Sequence, residues 1–370
     1  MKILFVLSHP GHYYLFKNLS IQLNRKNHKT FYAIRGKDIL EKILIAEKVE
    51  FKKLCSEFYR GNNIFSILGG AVSEMLFQDI KLFSYVRKIK PDLLIGTDIS
   101  ISHIGKLMKI PSLIFNEDDY EINKLFCIAT YPFAKHIIAP TNCSVGKYTN
   151  KKISYNGYQK IAYLHPKFFK ISRNILNKLN LNNKPYYFIR IVNLKAIHDI
   201  ESKHKGLSLE ILKKIILKLE KTGRVFINSE GEIYPELKKY YLNIEVNEIH
   251  QVLANASLFI GDSQTMSAEA GLLGTPFIRF NDFVGKINYL NDMENKYKLG
   301  FGIKTNEERK LFKTIDFIIN NNLKKNHFEK SLKLFNDKVN VTDFWTWLID
   351  QYPKSLDIII KKPDYQNNFR

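Results

Sequence analysis

The segment with the clearest chemical content is Gly261-Asp-Ser-Gln-Thr-Met-Ser-Ala-Glu269. A short apolar run, Leu258 to Ile260, precedes it, and Met266, Ala270 and Leu273 follow at helical spacing until Gly274 and Pro276 stop the helix. The pattern predicts strand, turn and helix. The first amides of such a helix have no intrahelical acceptor and stand at the positive end of its dipole, so a phosphate is their natural ligand. Ser263, Gln264 and Thr265 would border that phosphate. Glu269 lies six residues beyond Ser263, about 9 Å up the helix at roughly 1.5 Å per residue, where a carboxylate could accept hydrogen bonds from both hydroxyls of a nucleotide ribose. The plainer alternative makes Asp262-Ser263 a helix cap and Glu269 a solvated face residue.

Further candidates sit in turns after predicted strands, where ligands collect in open α/β sheets. Ser8-His-Pro-Gly-His12 is the first such turn, and His12 would begin the next helix. Imidazole is the side chain whose unperturbed pKa lies nearest neutrality, which suits a general base, and capping or packing is the alternative role. Asp98 ends a later strand. Asn116-Glu-Asp-Asp-Tyr120 places Glu117 and Asp119 after another, where carboxylates could bind sugar hydroxyls or simply be solvated. This run cannot by itself assemble the octahedral oxygen cage that magnesium needs, and no essential metal or cofactor is expected. In the second half, Lys195, His198 and Lys205 follow a strand and could meet a diphosphate, stabilising charge on a leaving nucleotide. Arg190, mid-strand, is read as structural. Glu248-Ile-His250 could border a nucleobase or cap a helix.

The elements that must position these residues alternate between strand and helix, the pattern of parallel α/β domains. Ile3–Leu7 is a predicted strand, His12–Asn24 a helix, His28–Ile34 a strand, Leu93–Asp98 a strand ending in a polar turn, Ser102–Met108 a helix and Ser112–Phe115 a strand. Ile137–Ala139 reads as the last strand of this half. The pattern restarts at Tyr186–Ile191, continues through Arg224–Ser229, and reaches the Gly-Asp-Ser unit. Two domains follow: 1–165 and 185–340, joined by an Asn- and Lys-rich linker at 166–184, with a C-terminal helix and tail at 341–370.

Composition agrees with an intracellular enzyme. The chain has 370 residues, 45% of them hydrophobic, enough for two cores. Cys55, Cys127 and Cys143 are odd in number and widely spaced, which indicates neither a disulfide framework nor a zinc motif. No signal peptide is read at the start. The most apolar stretch, Ile64 to Val86, contains Glu74, Asp79 and Lys81, so no membrane span is expected. A formal charge of +21 reflects either Lys-rich composition or attraction to anions. Arginine-rich and aromatic-interleaved nucleic-acid motifs are missing, so nucleic acid is not an expected partner and peripheral contact with an anionic membrane is. The expected location is the cytoplasm, at the inner face of the cell membrane.

Gly-Asp-Ser-(five residues)-Glu-Ala resembles the nucleotide-binding segment of non-hydrolysing UDP-N-acetylglucosamine 2-epimerases and of glycosyltransferases with two Rossmann-like domains, the GT-B architecture. The resemblance implies an α/β fold with two parallel-sheet domains and an interdomain cleft, diphosphate contact at the helix start and ribose contact at Glu269. Gln264-Thr265 stands where the epimerases usually carry a Gly pair. The opening Lys2 to His12, Tyr155-Asn-Gly-Tyr158 with Leu164-His-Pro166, His198-Asp199 with Lys205-Gly-Leu207, the Gly-Asp-Ser-Gln-Thr-Met segment and Val341-Thr-Asp-Phe344 together resemble a family of uncharacterised bacterial and archaeal proteins grouped with these enzymes. The Pro-Gly-His turn also resembles the first loop of some inverting GT-B transferases. There the His deprotonates the acceptor and an Asp from a later strand end orients it, a role that falls to Asp98 here. In the epimerases, Asp98 and Glu117 would match catalytic carboxylates.

Three functions stay open. The first is metal-independent transfer of a sugar from a nucleotide donor, UDP-linked by resemblance, to a cell-surface glycan or lipid-linked acceptor, with inversion. The second is a nucleotide-sugar 2-epimerase. The third is a GT-B protein that binds nucleotide or sugar without turnover. The basic surface and the Pro-Gly-His turn favour the transferase, since an epimerase needs neither membrane nor acceptor base.

Overall fold

A computed structural model describes residues 1–36, 38–56, 64–181, 184–192, 206–229 and 234–370. The chain divides into two units, Met1–Tyr163 with Val339–Arg370, and Leu164–Lys338.

In the first unit β1 (Lys2–Leu7) leads to α1 (Pro10–Arg25), β2 (Lys29–Gly36), α2 (Asp38–Ala46), β3 (Lys52–Ser56), α3 (Ile64–Ile89), β4 (Leu93–Gly96), α4 (Ile99–Met108), β5 (Ser112–Phe115), α5 (Lys124–Thr130), β6 (His136–Pro140) and β7 (Lys152–Tyr155). The strands form a parallel sheet in the order β3-β2-β1-β4-β5-β6-β7. Its central strands are buried on both faces, which is why Ile3 to Leu7 and Leu93 to Ile95 read as unbroken apolar runs. The chain moves outward from β1 to β3 and then returns to β4 on the other side of β1. That reversal makes a topological switch point between the ends of β1 and β4.

Two expectations change in this unit. Ile137–Ala139 is not the last strand, because Lys152–Tyr155 adds β7 beyond it with alternating burial. The helix expected from Ser102 begins at Ile99, because Asp98 caps it, its Oδ1 accepting from the Ser100 N–H at 3.0 Å.

The second unit contains α7 (Asn174–Lys178), β8 (Tyr186–Ile191), α8 (Leu209–Leu219), β9 (Arg224–Ser229), α9 (Ile249–Asn255), β10 (Leu258–Gly261), α10 (Gln264–Leu272), β11 (Phe277–Phe280), α11 (Asn288–Asn295), β12 (Gly300–Ile303), α12 (Glu308–Asn320) and α13 (Lys324–Asp337). A four-residue α6 (Ile161–Leu164) precedes them across the boundary between the units. Its parallel sheet has the order β12-β11-β10-β8-β9, so the switch point lies between β8 and β10. On one face Ile189, Leu258, Ile260 and Ile278 pack with Leu212, Ile215 and Leu219 of α8 and Leu311 and Ile315 of α12.

The stretch 166–184, read from sequence as a linker, belongs to this unit. The Ser172 N–H donates to Gln251 Oε1 at 2.8 Å, and Asn255 Nδ2 donates to the Ser172 carbonyl at 2.9 Å, tying it to α9.

The C-terminal α14 (Val341–Asp350) and α15 (Lys354–Lys361) belong to the first unit. Trp345 is fully buried, edge-on to Phe115 at 4.7 Å and to Tyr155 at 5.4 Å between centroids. Gln22 Nε2 donates to Asp343 Oδ1 at 2.8 Å and the Thr346 hydroxyl donates to Gln22 Oε1 at 2.6 Å, joining α14 to α1. Among the described residues no helix is long and apolar enough to cross a membrane.

Candidate functional site

At the switch point of the first unit, β1 ends in Ser8-His-Pro-Gly and α1 opens with Pro10 in its first turn, capped by the His9 ring, whose Nδ1 accepts from the Gly11 N–H at 3.1 Å. His12 therefore follows in the first turn, half-buried. The Ser8 N–H donates to its Nδ1 at 3.3 Å, which places the proton of the neutral ring on Nε2, and Thr97 Oγ1 lies 3.0 Å from Nε2 and 2.8 Å from Nδ1.

The residue facing His12 is thus Thr97, where the sequence pointed to Asp98. The Asp98 carboxylate is buried elsewhere. Its Oδ1 accepts from the Ser100 N–H, from the Ser100 hydroxyl at 2.5 Å and from Gln78 Nε2 at 2.9 Å. Consecutive residues at a strand end point to opposite sides, so the hydroxyl takes the place assigned to the acid.

After β5, Glu117 is buried against a cation absent from the sequence reading. Lys160 Nζ pairs with its Oε1, and the Gln159 N–H donates to Oε2 at 2.7 Å. Asp119 is also buried, its Oδ1 accepting from the Ser144 N–H at 2.7 Å. These acids are not solvated loop residues. Both brace the loops that follow β5, β6 and β7. Nothing in local spacing announces the pairing, because Glu117 and Gln159 are 42 residues apart.

In the second unit the predicted strand, turn and helix form as β10 and α10. Ser263 is the N-cap, its Oγ accepting from the Met266 N–H at 3.3 Å. The amides of Gln264 and Thr265 precede the first intrahelical bond. Gln264 is half-buried and Thr265 exposed, so the first turn is open to an anion. At the other end Gly274 takes φ +73°, and the Thr275 N–H donates back to the Ala270 carbonyl at 2.8 Å, closing the helix.

Glu269 is buried, at 6% exposure, and its Oε1 lies 3.3 Å from Nε2 of the equally buried His250 on α9. That excludes the solvated-face alternative. His250, in the segment that could border a nucleobase or cap a helix, is the partner of Glu269, with Phe169 edge-on to the imidazole at 6.1 Å.

Asp262 does more than shape a turn. Its Oδ1 accepts from the Val192 N–H at 2.8 Å and its Oδ2 from the Leu207 N–H at 3.4 Å, while Asn281 Nδ2 donates to its carbonyl at 2.8 Å. The ends of β8, β10 and β11 are held together by this one residue. Gly206 is required there, since a Cβ would fall 2.3 Å from Asp262 Oδ2. Lys195, His198 and Lys205 lie outside the described residues, in the segment that leaves at Val192 and returns at Gly206. Among the described residues no three His, Cys, Asp or Glu side chains are grouped as a metal site.

Comparison with known proteins decides the family. Residues 24–341 match the family described as Protein of unknown function (DUF354). The chain belongs to this family. No curated protein matches it. Among solved structures it is similar to the UDP-GlcNAc 2-epimerase of Neisseria meningitidis bound to UDP-GlcNAc, at 13% identity and a TM-score of 0.61, covering 90% of this chain and 94% of that one. The Methanocaldococcus jannaschii UDP-GlcNAc 2-epimerase in complex with UDP-GlcNAc and UDP gives 14% identity and a TM-score of 0.61, with 86% and 93% covered. The spinosyn forosaminyltransferase SpnP gives 13% identity and a TM-score of 0.59, with 99% of each chain covered. At such identities the shared property is the fold. This DUF354 member has the two Rossmann-like domains of GT-B glycosyltransferases and of UDP-GlcNAc 2-epimerases.

Proposed function

We propose that this protein is a glycosyltransferase that moves a sugar from a UDP-linked donor to the hydroxyl of a glycan or lipid-linked acceptor. The observation that carries the choice is the contrast among the four candidate catalytic side chains. All four have internal partners, but Asp98, Glu117 and Asp119 are buried, whereas His12, beside Ser8 and Thr97, is half-exposed at a switch point. A 2-epimerase needs carboxylates within reach of substrate as acid and base, and Glu117 is buried against Lys160. A transferase needs one accessible base for the acceptor.

In this reading the diphosphate meets the Gln264 and Thr265 amides at the open turn of α10, with Lys195, His198 and Lys205 supplying positive charge. Glu269, set by His250, takes the ribose. His12 removes the acceptor proton, the acceptor hydroxyl taking the place of a hydrogen bond the ring now makes, while the Thr97 hydroxyl beside both ring nitrogens steadies the imidazolium, and the anomeric centre inverts in one displacement. The chemistry is metal-independent.

Support also comes from the fold, shared with structures whose ligands include UDP-GlcNAc and UDP. The test is thermal shift against a panel of nucleotides and nucleotide sugars, since a ligand at a hundredfold excess over Kd adds about 2.7 kcal/mol of stability. The responding donor is then incubated alone and with candidate acceptors. Transfer only when an acceptor is present supports the proposal. Conversion of the donor to its 2-epimer without acceptor replaces it with the epimerase reading, and binding without either reaction replaces it with a non-catalytic role.

A further inference from the structure

We propose that the face of the first unit built from α3, α4 and α5 seats on an anionic lipid bilayer. The three helices meet at His103. Its Nδ1 lies 2.8 Å from Asp79 Oδ2 on α3 and its Nε2 2.9 Å from the Ala129 carbonyl on α5, and the Phe133 ring stands edge-on to it at 4.9 Å. Apolar side chains around this junction point into solvent. Ile80 is 63% exposed, Leu107 68%, Leu125 63% and Phe133 42%, and Leu76 and Ile128 are exposed beside them. Leu76 and Ile80 are four residues apart, as are His103 and Leu107, so each helix contributes a stripe. Exposed apolar side chains grouped on one face in this way point to an interaction site.

The charge around it selects the partner. Lys81, Lys106, Lys109, Lys124 and Lys135 are exposed on these elements or beside them. The acids of α3 face inward, Glu74 to Arg35 and Asp79 to His103. Among the described residues α4 and α5 contain no acid at all. Lys106, Lys135 and Lys151 crowd together. Burial and then the charges of Lys106 and Lys135 lower the Lys151 pKa, while burial and then Lys135 and Lys151 push His136 down to about 4. Lys151 nevertheless has a structural task, donating to the carbonyls of Tyr131, Pro132 and Ala134 at 2.8, 2.8 and 3.0 Å and so fixing the turn that presents Phe133. Like charges concentrated beside an aliphatic surface are the chemistry of an anionic bilayer, where apolar side chains enter the acyl boundary and lysines meet headgroup phosphates. A second copy of the chain is the poorer occupant, because a two-fold contact would bring this cationic cluster against itself.

The inference does not depend on the nucleotide-sugar reading, and its test needs no turnover. The full chain is sedimented with vesicles of phosphatidylcholine, with and without phosphatidylglycerol, over a range of salt. Binding should require phosphatidylglycerol and weaken as salt rises. Lys106→Glu with Lys135→Glu should cost roughly tenfold or more in affinity, and Leu107→Ser with Phe133→Ser should lower binding at every salt concentration. Leu217→Ser with Phe317→Ser, on equally exposed positions of the second unit, should bind as the parent does. Circular-dichroism melts establish that each variant folds, and nucleotide thermal shift on the same preparations reads the donor site separately. Failure of the parent to bind anionic vesicles, equal binding to neutral ones, unaltered binding by either α3–α5 variant, or a patch variant that turns a dimer into a monomer would each overturn the proposal.

Discussion

The Thr97 hydroxyl lies 2.8 Å from Nδ1 and 3.0 Å from Nε2 of His12. The two residues are 85 positions apart and meet because β1 and β4 are neighbours in the sheet. One position further along, Asp98 turns the other way and caps α4. A proton acceptor and a hydroxyl therefore share the switch point, and the Asp98 carboxylate serves the fold.

His12→Ala should leave nucleotide binding intact and lower turnover by about 10²–10⁴, the usual worth of a positioned base. Thr97→Val keeps the shape and removes the hydroxyl, so it should lower kcat more than KM and shift the acidic limb of the pH–rate profile, where a general base is lost to protonation. Near-normal turnover in His12→Ala, or retention of anomeric configuration in the product, rules out His12 as the base.

Asp98→Ala removes the cap and should cost about 0.5–2 kcal/mol of stability, read from denaturant midpoints. Turnover per folded molecule should change far less than in His12→Ala. A loss equal to that of His12→Ala at unchanged stability would return Asp98 to the role of orienting acid.

Much of this architecture was legible in the sequence, and the gaps have physical causes. Buried parallel strands such as Ile3–Leu7 and Leu258–Ile260 announce themselves as apolar runs, and Ser263 with Gly274 brackets α10 by cap chemistry. The outer strands are quieter. β7 reads Lys-Ile-Ser-Tyr and β3 Lys-Lys-Leu-Cys-Ser, short segments at the sheet edges whose apolar runs are broken by polar residues. Candidate acids were visible, but their commitments were not. Glu117 meets Lys160 and Glu269 meets His250 only through tertiary contact, and Thr97 has no titratable group to draw notice.

Glu269→Gln should weaken nucleotide binding by roughly 1.5–3 kcal/mol, the range for hydrogen bonds to a charged group. Because the carboxylate is buried beside His250, His250→Ala should weaken binding too and cost about 1–3 kcal/mol of stability by leaving a buried acceptor poorly satisfied. Calorimetric titration of both variants with the responding nucleotide checks this. Parent-like affinity in Glu269→Gln removes the ribose assignment.

His103 carries a pH dependence of definite sign. Its hydrogen bond to Asp79 raises its pKa above the ordinary 6.5, against the opposing effect of burial. The folded state thus holds the proton more tightly than the unfolded chain. The stabilisation is fully present below about 6.5 and is lost as pH rises through the raised folded-state value. The stability difference between the parent and His103→Gln should therefore be larger at pH 5.5 than at pH 9, by urea denaturation at each pH. A difference that grows with pH would contradict the imidazolium bridge between Asp79 and Ala129.

Asp262 spends both carboxylate oxygens on backbone, Oδ1 on Val192 and Oδ2 on Leu207. Asp262→Asn keeps the volume but presents one amide as a donor to a site that already donates. One of the two N–H groups loses its acceptor, at about 1–3 kcal/mol for a buried group. Hydrogen exchange should speed up at the Val192 or Leu207 amide while the amides of β9, on the far side of β8, keep their protection. The same variant should bind nucleotide more weakly than the parent, since Lys195, His198 and Lys205 are carried by the segment whose two ends Asp262 holds. Weakened binding with unchanged exchange would locate the Asp262 effect in direct ligand contact, and faster exchange with unchanged binding would remove the 193–205 segment from the donor site.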